Sequence, residues 1–509
     1  MNFCVGGRMK RILLFLCLVL LPLSVHASDA APSSSSPQAL LTEGLRYYDG
    51  DGVPRDYKKA FVLFEKAAGQ GHPAALYNLG LMYRNGLGVP MDEAKAAEWY
   101  QKSAELGYDS AQHVLGTLYE DGSGVPQDYK KAVEWYQKAA EQGHAKAQHR
   151  LAYMYGNGRG VSTDETKAAE WHQKAAEQGY AEAQSVLGTL YEEGIGVPLD
   201  HKKAAEWYQK AAEQGYAKAQ YYLAYMYEEG QGVPKDKARA AQWYQKAAEQ
   251  DHAESQAILG LMYEEGSGVP QDYKKAVEWY QKAAEQGHAY GQYYLGYMYG
   301  NGQGVPRDRA KAAEWHQKAA EQGHANAQYS LGIMYEYGLG VSTDKAKAVA
   351  WYQKAAEQGR AKAQHALGLM YEKGQGVPQD YKKAVEWYHK AAEQGDADAQ
   401  YSLGLIYEEG RGVSRSLVTA VDWYRKAADQ GHGPALYLLS LKFKKGQGVT
   451  KNVVTAYAYC LLAKTALSSS GRLLPVLQKE EAYYTKALTA AQQAQARNEA
   501  AQMKAAISQ

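Results

Sequence analysis

Tyrosine is the residue whose number and spacing first suggest chemistry: 44 occur against 5 Phe, and several stand in tight clusters. Tyr221, Tyr222 and Tyr225 form one cluster, and Tyr293, Tyr294 and Tyr297 reproduce it further along. Tyr153, Tyr329, Tyr401 and His149 hold corresponding places elsewhere. A phenol ring offers a large rigid contact area with a hydroxyl at its tip, which suits recognition better than bond making. Such rings can equally stack on one another as part of a scaffold. A second group is acidic: Glu120-Asp121, Glu192-Glu193, Glu228-Glu229, Glu264-Glu265 and Glu408-Glu409. Each pair falls at the C-terminal end of an expected helix, where the helix dipole disfavours negative charge. One reading is a groove edge that draws basic partners; the other is a solvated rim neutralised by Lys130, Lys202 and Lys274.

The patterns that bond-making chemistry needs do not appear. His72, His144, His252, His288, His324 and His432 share one recurring position, but Tyr108, Tyr180 and Tyr216 fill the same slot, so no metal geometry follows. His144 and His149 are five residues apart, the wrong spacing for one helical face, and no H-E-x-x-H occurs. There is no G-x-S-x-G, and the carboxylates repeat too evenly to nominate an acid–base pair. The G-x-G-V loops resemble phosphate cradles, yet none follows a strand, and each ends one helix before a capped second. The reading is non-enzymatic, with no cofactor and no metal.

The elements that position these side chains are dictated by a period of 36. All ten Trp obey it, from Trp99 and Trp135 through to Trp387 and Trp423. Fixed self-similarity at this length means an array of one supersecondary unit rather than several globular domains. In residues 73–108, Ala75, Leu79, Met82 and Tyr83 mark a first helix, and Gly86, Gly88 and Pro90 end it. Asp92 caps a second helix whose inward positions are expected at Ala96, Trp99, Tyr100 and Ser103. Glu98 and Lys102 are spaced to pair at i,i+4, and the pair recurs at Glu134–Lys138, Glu206–Lys210 and Glu278–Lys282. Mid-helix Gly80, Gly116 and Gly260 let neighbouring helices approach. A helical hairpin of this kind cannot bury its own apolar face and must stack on its neighbours.

The pattern A-x-x-x-L-G-x-x-Y-x-x-G-x-G-V-P-x-D-x-x-K-A-x-x-W-Y-x-K-A-A-x-x-G resembles the Sel1-like repeat, a relative of the tetratricopeptide repeat. Its G-x-G-V core appears from Gly50-Asp51-Gly52-Val53 to Gly446-Gln447-Gly448-Val449. The resemblance implies an all-α fold, a right-handed α/α superhelical solenoid of about twelve hairpins over residues 37–468. It also implies that positions 2, 5, 9 and 12 of each first helix line a concave, ligand-holding face, with each repeat numbered from the residue after the His/Tyr turn. On that numbering Tyr221, Tyr293, Tyr329, Tyr401 and His149 are at position 5, Tyr222 and Tyr294 at position 6, and Tyr153, Tyr225 and Tyr297 at position 9. Residues 126–145 repeat as 270–289, so a block of four repeats was duplicated. From Val476 to about Ser508 the chain reads as one helix, giving a C-terminal cap over 469–509.

Met9-Lys10-Arg11, the apolar run Ile12 to Leu23 and Val25-His26-Ala27 read as a Sec-type signal peptide over 1–27, with a flexible Ser/Pro linker over 28–36. A periplasmic or secreted location follows. Cys4 and Cys17 depart with the signal, leaving Cys460 and no intramolecular disulfide. A formal net charge of +1 gives no pull towards nucleic acid, and no later segment is apolar enough to span a membrane. The expected function is an exported scaffold or adaptor that holds a protein or peptide, basic in character, along a Tyr-rich groove. A glycan is the alternative occupant. β-Lactam binding or hydrolysis, as in cysteine-rich Sel1-like proteins, is the enzymatic alternative, and the cysteine pair those repeats carry is missing here.

Overall fold

A computed structural model describes residues 35–467 and 473–507; the expected signal peptide and most of the linker lie outside the described residues. Among the described residues every regular element is an α-helix, and most are 12 to 14 residues long. The chain divides into two compact units, residues 1–175 and 176–509. In the first, the helices run from Pro37–Asp49 and Tyr57–Ala68 to Ala145–Asn157. In the second, they run from Ala181–Glu193 and His201–Glu213 to Val453–Ala466, followed by Leu474–Ala487 and Ala490–Ile507. Within each unit the helices pair as hairpins and pack on the next hairpin in sequence, which makes an all-α solenoid.

Each hairpin is closed by the residues the sequence supplies for it. The helix Pro73–Asn85 ends at Gly86, whose left-handed backbone (φ 65) returns its N–H to the Met82 carbonyl. Gly88 is also left-handed (φ 73), and a Cβ there would meet the Tyr57 carbonyl oxygen of the preceding hairpin at 2.7 Å. This second glycine is therefore a joint between repeats as well as a turn, and Gly124, Gly160, Gly232 and Gly268 repeat the approach. Asp92 then accepts the Lys95 backbone N–H at 3.0 Å, capping Glu93–Glu105. Ser416 and Asn452 replace Asp in the last two repeats and still cap their helices.

The core follows the period. Ala75, Leu79, Met82, Ala96, Tyr100 and Ser103 are all buried, whereas Trp99 is only half-buried. The Tyr after each Trp, not the Trp, is the deepest ring: Tyr100, Tyr136, Tyr208, Tyr244, Tyr280, Tyr352, Tyr388 and Tyr424 are essentially inaccessible. The mid-helix glycines make room for it, since a Cβ on Gly116 would lie 2.6 Å from the Tyr136 ring. Sequence reasoning also overlooked a buried polar column. Gln112 donates to the Ala104 carbonyl at 3.1 Å while its own oxygen accepts from Gln142 at 2.7 Å, and Gln220 does the same with Ala212 and Gln250. A buried amide satisfied on both sides ties its hairpin to the next, whereas Leu40, Leu76 and Leu436 hold this position in the end repeats.

Two local expectations change. Lys102, Lys138, Lys210 and Lys282 do not meet the Glu four residues back. Their ammonium groups lie 3.7–4.3 Å from the centroids of the Trp rings three residues back, where half-buried indoles offer a π face. The helix expected from Val476 to Ser508 is two helices. Leu488 turns extended (φ −111, ψ 143), and Thr489 and Gln492 exchange side-chain-to-backbone hydrogen bonds, a capping box that starts a new helix. Both segments cover the last repeat: Leu477, Tyr484 and Ala496 are buried with Leu436, Tyr457 and Cys460. Burial pushes the Cys460 thiol up to about 12, so it is inert.

Candidate partner-binding face

Positions 5, 6 and 9 of a first helix have different fates, and their surroundings explain why. Position 5 faces the buried second-helix ring and the turn residue that ends its own repeat. Tyr221 lies 5.9 Å from Tyr244 and 5.1 Å from His252. Tyr293 lies 5.5 Å from His316 and stacks on His324 at 4.8 Å. Tyr401 meets Tyr424 and His432, Tyr329 meets Tyr352 and the Arg360 guanidinium, and His149 sits edge-on to His172 at 5.0 Å. Burial raises the Tyr221 phenol to about 12, and the Glu254 carboxylate adds to the shift. These rings are half-buried joints that lend one edge to the surface.

Position 6 packs backwards. Tyr222 stacks on Tyr208 of the preceding repeat at 5.1 Å, and Tyr294 stacks on Tyr280 at 5.2 Å. Position 9 faces out: Tyr153, Tyr225 and Tyr297 are 40%, 38% and 42% exposed. Within each cluster the first two rings touch, Tyr221 with Tyr222 and Tyr293 with Tyr294, and it is Tyr225 or Tyr297 that is exposed.

Three exposed rings were missed, Tyr290, Tyr337 and Tyr483. Tyr290, at position 2, is 56% exposed. With Ala257, Ile258, Leu261 and Tyr294 it lines an apolar cleft of ≈ 250 Å³, which Glu254 and His288 close. The signal was present, since position 2 is Lys, Glu, Asn or a small residue in most repeats and Tyr only here. A second cleft of ≈ 240 Å³ adjoins Tyr297, lined by Ile333 and Leu339 with Arg307 and Arg309.

The acidic pairs divide. The first carboxylate of each accepts from the buried phenol sixteen residues on: Tyr136 to Glu120 at 2.6 Å, Tyr208 to Glu192 at 2.6 Å, Tyr244 to Glu228 at 3.0 Å, Tyr280 to Glu264 at 2.7 Å and Tyr424 to Glu408 at 2.9 Å. The helix dipole is opposed because a buried hydroxyl must find an acceptor. Hence it is a phenol, and not Lys130, Lys202 or Lys274, that engages the inner acid. The outer members, Asp121, Glu193, Glu229, Glu265 and Glu409, are exposed. The pairing is visible inside the chain: where position 12 is Gly (Gly156, Gly300) the buried ring is His (His172, His316), and Tyr100 faces Arg84 instead of an acid.

The architecture can be set beside known proteins. The family model of the Sel1 repeat matches twelve times, from residues 44–72 and 73–108 to 397–432 and 433–466. A protective antigen present in uropathogenic Escherichia coli strains, whose crystal structure displays an SLR fold, is 38% identical over 88% of this chain and 96% of its own, with a TM-score of 0.81. A Sel1 repeat protein from Oxalobacter formigenes is also 38% identical, over 60% of this chain and 88% of its own, with a TM-score of 0.49. The cysteine-rich protein B of Helicobacter pylori is 32% identical over 25% of this chain and 92% of its own, with a TM-score of 0.22. No curated protein matches. The hairpins, their glycine joints and the buried Tyr column recur in step with the matched repeats, and the chain belongs to the Sel1 repeat family.

Proposed function

We propose that this protein is an exported, non-enzymatic scaffold that holds a protein or peptide on its first-helix face, with the Tyr290 cleft and the exposed rings of Tyr225 and Tyr297 as anchors. The observation that carries the reading is the exposure of large aromatic surface at a few places in an otherwise uniform array. The part of a ring left in solvent is not used by the stack, whereas a partner's apolar side chain would desolvate it. The apolar cleft beside Tyr290 has the size and lining for such a side chain. The outer carboxylates of the acidic pairs favour basic character in whatever lies across them. The likeness to a protective antigen supports export, as does the sequence of residues 1–27.

The test is capture from envelope extract with the wild type and a Tyr225→Ala/Tyr290→Ala/Tyr297→Ala variant, followed by reconstitution with the purified ligand. Loss of a protein ligand at unchanged helical circular dichroism is the expected result. Retention by a glycan that peptides cannot displace would favour sugar stacking on the same rings. Turnover of a chromogenic β-lactam by the pure protein would overturn the non-enzymatic reading.

A further inference from the structure

The repeat that ends at Asp396 differs from all others at its turn. That column holds His72, Tyr108, His144, Tyr180, Tyr216, His252, His288, His324, Arg360 and His432, and Asp396 is its one acid. Asp396 caps the helix Ala397–Glu409, accepting the Ala399 N–H at 2.8 Å, and Asp398 lies in the first turn of the same helix. His365, at position 5 of the preceding first helix, faces them. One ligand atom from each of His365, Asp396 and Asp398 lies within 4.8 Å of the other two. All three line a cleft of ≈ 310 Å³, so the donors converge on open space and not on a packed wall.

We propose that His365, Asp396 and Asp398 form a binding site for a divalent transition-metal ion of the Zn²⁺ type. An imidazole beside two carboxylates is a borderline donor set, which suits Zn²⁺ and its neighbours and disfavours Ca²⁺ or Mg²⁺, whose ligands are oxygens. Ligands at about 2.0–2.2 Å from a tetrahedral ion lie about 3.4 Å apart, so donors that lie within 4.8 Å of one another need draw together by no more than about 1.4 Å. Asp398 has room for that movement, since its side chain is 69% exposed and held only on one side, by His432. The surroundings are those of a site with outer support. Ser402 Oγ stands 3.1 Å from His365 Nε2, and His432 Nε2 stands 3.2 Å from Asp398 Oδ1, each able to orient a ligand. Lys362 and Lys373 line the same cleft. The three protein donors leave one position for water or for a donor from a partner, so the ion would be exchangeable and not structural.

The measurement is titration of the tag-free full chain with Zn²⁺ by isothermal calorimetry, with Co²⁺ absorption as a second readout and Ca²⁺ as the control cation. The variants are chosen to keep the fold. Asn retains the cap in Asp396→Asn, Asp398→Asn is isosteric, and His365→Tyr installs the ring that Tyr221, Tyr293, Tyr329 and Tyr401 carry at the same position. One equivalent of Zn²⁺ should bind the wild type, with visible bands from Co²⁺ of a four-coordinate N/O site. Each variant should weaken binding by at least the roughly 10–100-fold that losing an outer partner costs. No Co²⁺ bands in the wild type, or Zn²⁺ uptake unchanged in all three variants, would overturn the assignment. Tighter Ca²⁺ than Zn²⁺ binding would overturn the metal class.

Discussion

At the scale of single residues, the central interaction is a phenol buried against a carboxylate. Tyr280 is fully buried and donates to Glu264 at 2.7 Å. Removing the acceptor leaves a buried hydroxyl unsatisfied, at a cost of about 1–3 kcal/mol. Glu264→Ala should therefore destabilise the protein by that order in a urea titration. Tyr280→Phe made on top of it should cost less than it does alone, because the orphaned hydroxyl leaves with it. Strict additivity of the two changes would show that the bond does not hold the hairpin. The sequence displayed these acids only as a rule broken at the helix C-terminus. A separation of sixteen residues belongs to neither helical nor strand periodicity, so the partner emerges only when the hairpin closes. The Gly–His exchange in two repeats was the one legible trace of it.

At the scale of elements, two helices depart from the others in a way that makes stability depend on pH. Glu165–Glu177 and Arg309–Glu321 carry His172 and His316 where eight other second helices carry Tyr, and both rings are buried. Burial, reinforced by the neighbouring His149 and His324, lowers His172 to about 3 and His316 to about 4. The unfolded chain protonates these groups near the ordinary value of about 6.5. Below that pH the unfolded state takes up protons that the folded state refuses, so stability falls as pH drops from about 6.5 towards 4. Thermal melts between pH 7 and 5 should show the decline. It should become shallower in a variant with His172→Tyr plus Gly156→Glu and His316→Tyr plus Gly300→Glu, which rebuilds the pair used elsewhere, with the remainder left to His113 and the other histidines that burial lowers. An identical slope in the two proteins would assign the acid sensitivity to other groups.

At the scale of the whole molecule, stability is a sum of hairpins and the joints between neighbours, so the ends matter most. Leu477, Tyr484 and Ala496 close the apolar face of the last repeat, Tyr484 stacks on Tyr457 at 5.4 Å, and Lys464 pairs with Glu481 at 2.7 Å. Deleting residues 473–507 should expose that face. The shortened protein should self-associate in light scattering and lose amide protection first in 433–466, while 73–144 keeps its protection. A monomer with unchanged protection there would mean that these helices are dispensable.

The sequence by itself determined the repeat, its helices and their ends, because those depend on local properties: backbone conformation at glycine, capping by Asp, and apolar spacing along one helix. It also brought the Tyr clusters into register, since a constant period puts equal positions on equal faces. Tertiary structure alone decided which rings are joints and which are surface. Tyr293, Tyr294 and Tyr297 are nearly adjacent in sequence, yet one stacks on its own turn, one on the preceding repeat, and one faces water. The same holds for His365, Asp396 and Asp398, which meet only because consecutive hairpins stack. Exposure and convergence are properties of how neighbouring hairpins fit together, and that fit is set by contacts such as Tyr280–Tyr294 and His365–Ser402, between residues 14 and 37 positions apart in the chain.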